Sequence, residues 1–378
     1  MTALIDELRA RAAREPAWVE ELLASRTFPA VDGTTVTFVW RGTADEVLLR
    51  HWIHGLDSAQ PFARIDGTDL WVLALELPAK SRVEYKLEVA RGHQRRLVAD
   101  PLNPHHATDP FGANSVVHAD GYTVPEWSLP DPDARRGSIE RLAVRSDAFG
   151  ETRPLSVYLP ARFRRTRRYP LLIVHDGEDY LRFSNLDTVL DNLIHRLEIP
   201  PMVVALTQAR DRMSEYVDDA RHGRFLAEEL VPLLSKRFPL VDRPDARGLM
   251  GASLGAVASL ATAWRHPGVF DHLFLQSGSF VFTDIGKHEH GPAFDPVVEF
   301  VNAFRRAPGR PAERVFLSCG MYEGLIYYNR SLVPFLQATG MEVRFAEARD
   351  GHNWENWRDR LRDGLSWLFP GPLWMVYE

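Results

Sequence analysis

The sequence predicts two domains: an antiparallel, immunoglobulin-like β-sandwich, then a doubly wound α/β domain with a mostly parallel sheet. Three observations carry this. Residues 34–89 hold four short alternating apolar runs separated by turn clusters, the pattern of half-buried antiparallel strands. From residue 138 onward, short and nearly unbroken apolar runs alternate with helical spacing, which implies strands covered on both faces by crossover helices. Between them lies a stretch with Pro125, Pro130 and Pro132, where neither helix nor central strand persists.

The elements follow in order. Leu4, Leu8, Trp18, Leu22 and Leu23 recur at helical spacing among charges, so residues 1–28 form a helical segment, broken near Pro16, that packs on a neighbouring surface. Residues 29–120 form the sandwich, with strands at TTVTFVW, EVLLRHWI, LWVLALEL and RVEYKLEV and a loop at DPLNPHHATDPFGANS. Residues 121–137 are a Pro-rich linker, and 138–378 the α/β domain. In that domain SIERLAV and RPLSVYLP open a hairpin. Strands follow at YPLLIVHDG, PMVVALTQ, RGLMGAS, HLFLQSGS, ERVFLSCG and EVRFAEA. Helices fall at TVLDNLIHRLE, GRFLAEELVPLLSKRF, LGAVASLATAWRHP and YYNRSLVPFLQATG.

Composition excludes several classes. Hydrophobic residues at 45% and charged residues at 25% describe a folded globular chain, not a disordered or fibrous one. A net charge of −6 supplies no basic field for nucleic acid or an anionic membrane. One cysteine, Cys319, excludes an intramolecular disulfide and a cysteine metal cage. No apolar run approaches the roughly 18 residues that span a bilayer. Charges throughout MTALIDELRARAAREP do not fit a signal peptide, and the expectation is a cytoplasmic location.

The chemistry centres on Gly251-Ala252-Ser253-Leu254-Gly255, a G-x-S-x-G nucleophile elbow between an apolar strand and a small-residue helix. The sharp turn holds Ser253 at the helix N-terminus, and the two glycines let strand and helix approach. A serine hydroxyl needs a base, and in the α/β-hydrolase order the acid and then the histidine follow the serine. His352, in ARDGHNWENWRDRL, lies just past the last strand; the other histidines lie before Ser253, beside its helix, or too early. For the acid, Glu323 follows the strand VFLSCG, with Asp350 as competitor. The oxyanion donors are expected at the Leu254 N–H and at Gly177 or Glu178, in the turn after YPLLIVHDGEDY.

Other features were weighed for binding. Five arginines in RFRRTRR, Arg162 to Arg168, read as a solvated loop, or else as an anion-attracting patch. Arg212 lies past the strand PMVVAL at the ligand-binding edge of an open sheet, in R-M-S-E-Y, where it can pair with Glu215 one helical turn on. Trp354 and Trp357 flank His352 and can pack in the core or stack on an aromatic ligand. His105-His106 and KHEH at 287–290 lack further metal ligands in view, so no metal site is expected.

These residues together resemble the enterochelin esterase family, cytoplasmic enzymes that hydrolyse ferric catecholate siderophore lactones. The resemblance covers nearly the whole chain. It rests on VTFVWRG, RIDGTDLW and DPLNP, then on HDGEDY, the R-x-x-E of Arg212 and Glu215, GASLG, QSGSF, CGMYEG with Asn329, and GHNWENWR. It implies Ser253 as nucleophile, His352 as base and Glu323 as acid, with the sandwich as the family's early-set-type domain leaning over the active site. It implies a small-molecule ester substrate, a ferric trilactone such as enterobactin, and no cofactor, since iron arrives with the substrate. The rival expectations are a feruloyl- or acetyl-type carboxylesterase, and a binding protein with an inert hydrolase domain.

Overall fold

The computed structural model describes residues 3–372; residues 1–2 and 373–378, the outer ends of the first and last expected segments, lie outside them. The chain gathers into two compact units. The first is the chain up to Val124 with two later pieces, Gly320–Gly324 and Ala348–Asn353; the second is the remainder.

The first unit opens with α1 (Ala3–Arg11) and α2 (Pro16–Ser25). Pro16 begins α2, where its missing N–H would have no partner in any case. The strands are β1 (Ala30–Asp32), β2 (Thr35–Arg41), β3 (Glu46–His51), β4 (Ala59–Pro61), β5 (Ala63–Arg64), β6 (Leu70–Glu76), β7 (Arg82–Arg91), β8 (Gln94–Val98), β9 (His106–Asp109) and β10 (Gly112–His118). They form two antiparallel sheets, ordered β1-β2-β6-β5 and β4-β3-β7-β10-β9, with β8 also on β7. Alternation along β2 sends Val36, Phe38 and Trp40 between the sheets and Val39 to the other face. Phe38 meets Tyr85 of β7 edge to face at 5.2 Å. Ile5, Leu8 and Val19 of the two helices cover Val39, Leu70 and Val72, as their spacing predicts.

The stretch expected as a loop at 100–115 instead contains β9 and most of β10. Asp109 turns the hairpin by accepting the Phe111 N–H at 2.7 Å. The start of β10 is masked in sequence because its buried positions there, Asn114 and Ser115, are polar. Ser115 accepts the Asp100 N–H at 2.8 Å, and Asn114 donates to Glu84 at 2.7 Å.

The second unit carries β11 (Ser138–Ser146), β12 (Glu151–Leu159), β13 (Leu171–Val174), β14 (Val203–Thr207), β15 (Arg247–Ala252), β16 (His272–Gln276), β17 (Arg314–Gly320) and β18 (Glu342–Ala348). The sheet order is β11-β12-β14-β13-β15-β16-β17-β18. β11 and β12 form the expected hairpin, and β14, β13, β15, β16 and β17 run parallel. The helices are α3 (Gly177–Ser184), α4 (Leu186–His195), α5 (Arg212–Glu215), α6 (Ala220–Arg224), α7 (Val231–Arg237), α8 (Leu254–Arg265), α9 (Asp295–Arg306), α10 (Ile326–Ala338), α11 (Trp354–Asp359) and α12 (Leu361–Leu368). They cover both faces. Residues of α8, α9 and α10 join one core, and residues of α4 and α12 the other. This is the α/β-hydrolase arrangement that the alternation predicts. The helix expected at 223–238 is broken into α6, a π-helical stretch Phe225–Leu230, and α7. The Pro-rich stretch is tied down here: Trp127 is buried, and Asn192 donates to its carbonyl at 2.8 Å. No helix among the described residues is long and apolar enough to cross a membrane.

Candidate active site

In the second unit, β15 is buried along its whole length and ends on Ser253, whose φ of 57° and ψ of −120° lie outside the ordinary regions. A Cβ on Gly251 would fall 2.5 Å from the Gly255 carbonyl carbon, so only glycine lets α8 start so close to the strand. The neighbouring loop pins the turn. Ser253 N–H donates to Gln276 O at 2.9 Å, Ser279 N–H donates to Ser253 O at 3.2 Å, and the two hydroxyls of Ser253 and Ser279 lie 3.1 Å apart. That loop is itself held. Gln276 accepts from Tyr180 at 2.7 Å and donates to Trp357 O at 2.8 Å, while Asn329 brackets Gly278 with bonds of 3.2 and 2.9 Å.

The turn after β13 places Asp176 at φ 53°, and α3 begins at Gly177. A Cβ on Gly177 would sit 2.5 Å from Leu206 Cα. The Asp176 carbonyl accepts the Asp179 and Tyr180 N–H groups, both at 3.0 Å. Gly177 and Glu178 therefore occupy the first turn of α3, and Leu254 the first position of α8, where N–H groups have no carbonyl four residues back within the helix. These are the amides expected to hold an oxyanion.

In the first unit, Glu323 and His352 meet. His352 Nδ1 lies 2.5 Å from Glu323 Oε2, and Glu323 Oε1 accepts the Gly320 N–H at 2.7 Å. Glu323 is buried, while the His352 side chain is 37% exposed. Asp350, the competitor, is occupied elsewhere. It accepts from Arg82 at 3.2 and 3.3 Å, from Gly351 N–H at 2.7 Å and from Asn353 at 2.8 Å.

Two expected binding residues are placed differently from the sequence reading, and a third, Trp357, takes the core alternative. Arg212 does not pair with Glu215. Its Nε lies 3.0 Å from both oxygens of the buried Asp176, and its Nη2 lies 2.9 Å from Oδ2. Its side chain stays 41% exposed. Glu215 is buried and turned inward, bonded to Arg153 at 2.5 Å and to Arg210 N–H at 2.9 Å, so it is not offered to a ligand. Trp357 is also buried, its indole N–H donating to Ser277 at 3.0 Å. Trp354 packs edge-on against Trp357 and Tyr180 and is only partly buried.

Sequence reasoning missed a buried polar layer behind the elbow. His175 is wholly buried, with Nδ1 3.0 Å from Met250 O and Nε2 2.9 Å from His222 Nε2. A carbonyl can only accept, so Nδ1 of His175 carries the hydrogen and His222 Nε2 donates to His175; both rings are neutral. Burial lowers the His175 pKa to about 4 and pushes that of His222 well down. Burial raises the Asp176 pKa, and Arg212 opposes the rise. The signal available in sequence was the His175-Asp176-Gly177 run at a strand end.

Residues 146–368 match the family model for a putative esterase, and residues 35–128 match that for the enterochelin esterase N-terminal domain. An iron(III) enterobactin esterase of Escherichia coli is 26% identical over 87% of this chain and 90% of its own. The ferric enterobactin esterase of Salmonella typhimurium superposes with a TM-score of 0.77 at 22% identity, over 92% of this chain and 98% of that one. The enterobactin esterase of Shigella flexneri gives 0.72 at 24%, over 88% and 92%.

Proposed function

Because this chain belongs to the putative esterase family, with an enterochelin esterase N-terminal domain ahead of the catalytic one, we propose that it hydrolyses ester bonds of a ferric catecholate siderophore trilactone such as enterobactin. The observation that carries the chemistry is the 2.5 Å bond between His352 and Glu323, on the loops after β17 and β18, in a chain whose β15 ends on the strained Ser253. Glu323 accepts the Nδ1 hydrogen and so leaves Nε2 of His352 as the base. In this reading Nε2 removes the Ser253 proton as Oγ bonds to the ester carbonyl carbon. The oxyanion takes hydrogen bonds from Leu254 N–H and from Gly177 or Glu178 N–H. His352 returns the proton to the departing alkoxide as the C–O bond breaks. Water then repeats the sequence on the acyl-enzyme and frees the acid and Ser253.

The substrate class rests on the enterobactin esterases this chain is similar to across most of its length, and on Arg212. A guanidinium half exposed beside the Gly177 turn suits an anionic triscatecholate. Trp354 is the aromatic that can reach a catechol ring, since Trp357 is spent on packing.

The test is turnover of ferric enterobactin beside p-nitrophenyl butyrate by the parent and by Ser253→Ala. The expected result is efficient cleavage of the siderophore, lost by at least about 10³-fold in the variant. Turnover of the aryl ester alone would move the substrate to the feruloyl or acetyl class. Equal activity of the two proteins would remove Ser253 from the mechanism.

A further inference from the structure

The pieces bearing Glu323 and His352 belong to the first unit, where they bond to the stretch Ala79 to Arg82 and to His54. We propose that Arg82, on β7, is a positioning residue for the acid–base pair. The proposal rests on the esterase reading and adds to it a role for the N-terminal domain in the chemical step.

Arg82 is fully buried. Its Nη1 donates to Asn353 Oδ1 at 2.9 Å and lies 3.2 and 3.3 Å from the Asp350 oxygens. Its Nη2 donates to Glu84 at 2.9 Å, which fixes the fork on its own strand. Asp350 and Asn353 straddle His352, so one guanidinium holds both ends of the base loop. The backbone repeats the grip: Arg82 N–H donates to Arg349 O at 2.9 Å, and Arg349 Nη1 to Ala79 O at 2.7 Å. The acid loop is fastened to the same stretch at Ser81 and to the sandwich again at His54. The Tyr322 hydroxyl lies 2.5 Å from that of Ser81, and Tyr322 O accepts the His54 N–H at 2.7 Å. The two loops also tie to each other, Tyr322 N–H donating to Asp350 O at 3.0 Å.

Tyr322, Asp350 and Asn353, beside the pair in sequence, are thus anchored, while the imidazole itself stays exposed for proton transfer. A planar fork with Nη1 on the base loop and Nη2 on Glu84 sets distance and angle together, which a lysine ammonium cannot do. Displacement of a base by about 1 Å costs on the order of 10²-fold in rate.

The experiment uses the full chain with Arg82→Lys and Asn353→Ala. A fluorophosphonate serves as probe: the Ser253 Oγ–P bond forms, fluoride leaves, and the proton passes to His352. Labelling rate against pH, kcat and KM for p-nitrophenyl butyrate, and thermal melting are recorded together. Both variants are expected to melt cooperatively, with labelling and kcat down by about 10- to 100-fold and KM within about twofold. A fall in kcat and labelling with KM kept marks a misplaced base and not lost substrate binding. A purely stabilising Arg82 would lower the melting temperature and leave labelling and kcat at parental values, which overturns the proposal. Asn353→Ala, at a half-buried site, carries the test if Arg82→Lys does not fold. A parent that takes no label refutes the esterase reading instead, so the two failures are distinct.

Discussion

At Glu323 the two carboxylate oxygens have separate partners: Oε1 takes the Gly320 N–H and Oε2 takes His352. Glu323→Gln keeps the size and an acceptor, but its amide would favour the wrong imidazole tautomer. The expected loss in kcat on p-nitrophenyl butyrate is about 10²- to 10⁴-fold, with KM little changed and the fold intact by circular dichroism. Behind the elbow, the neutral pair His175–His222 makes a second prediction. The folded-state pKa of His175 is lowered to about 4, so below 6.5 the unfolded chain binds a proton that the folded chain refuses. Stability therefore rises with pH from about 4 to 6.5 and is lost as acid is added, by about 1.4 kcal/mol per pH unit for each such histidine. His222→Gln keeps a donor toward His175 but does not titrate. Its melting temperature should fall less steeply than the parent's between pH 6.5 and 4.5.

The elements that hold these residues were legible to different degrees. The buried parallel strands read directly, because a strand covered on both faces must be apolar throughout. Ser253 and His352 followed from strand ends and chain order. Glu323 and Asp350 could not be separated by position alone; the Arg82 partner that occupies Asp350 is 268 residues away. The same cause misdirected Arg212 and Glu215. A pair within one helical turn is visible in sequence, whereas their true partners, Asp176 and Arg153, lie 36 and 62 residues off. The hairpin β9–β10 was hidden by buried polar side chains. Helix α9 went unassigned although Val297, Val298, Phe300, Val301 and Phe304 carry helical spacing. At this scale the contact of α3 with β14 is a tight constraint. Gly177→Ala forces a methyl group onto the Leu206 backbone, and a loss of about 1–3 kcal/mol is expected in urea unfolding, with slower turnover.

For the whole molecule, the division into units does not follow the order of the chain. The first unit takes in the acid and base loops, and the second keeps the elbow. A fragment beginning at Pro125 would retain Ser253, Glu323 and His352, yet lack the stretch that fastens the two loops. Such a fragment should turn over p-nitrophenyl butyrate at least about tenfold more slowly than the full chain, and adding residues 1–124 in trans should restore part of the rate. Full activity in the fragment alone would show that the loops hold themselves. The buried fork of Arg82 also bears on the order of synthesis. The sandwich is translated first, but Asp350 and Asn353 are made nearly three hundred residues later. Until then Arg82 has Glu84 of its own strand as a partner, but not Asp350 or Asn353. The bonds from Arg82 to Arg349, Asp350 and Asn353 therefore form only after translation has passed residue 353, so the N-terminal domain gains its last contacts from the far end of the chain.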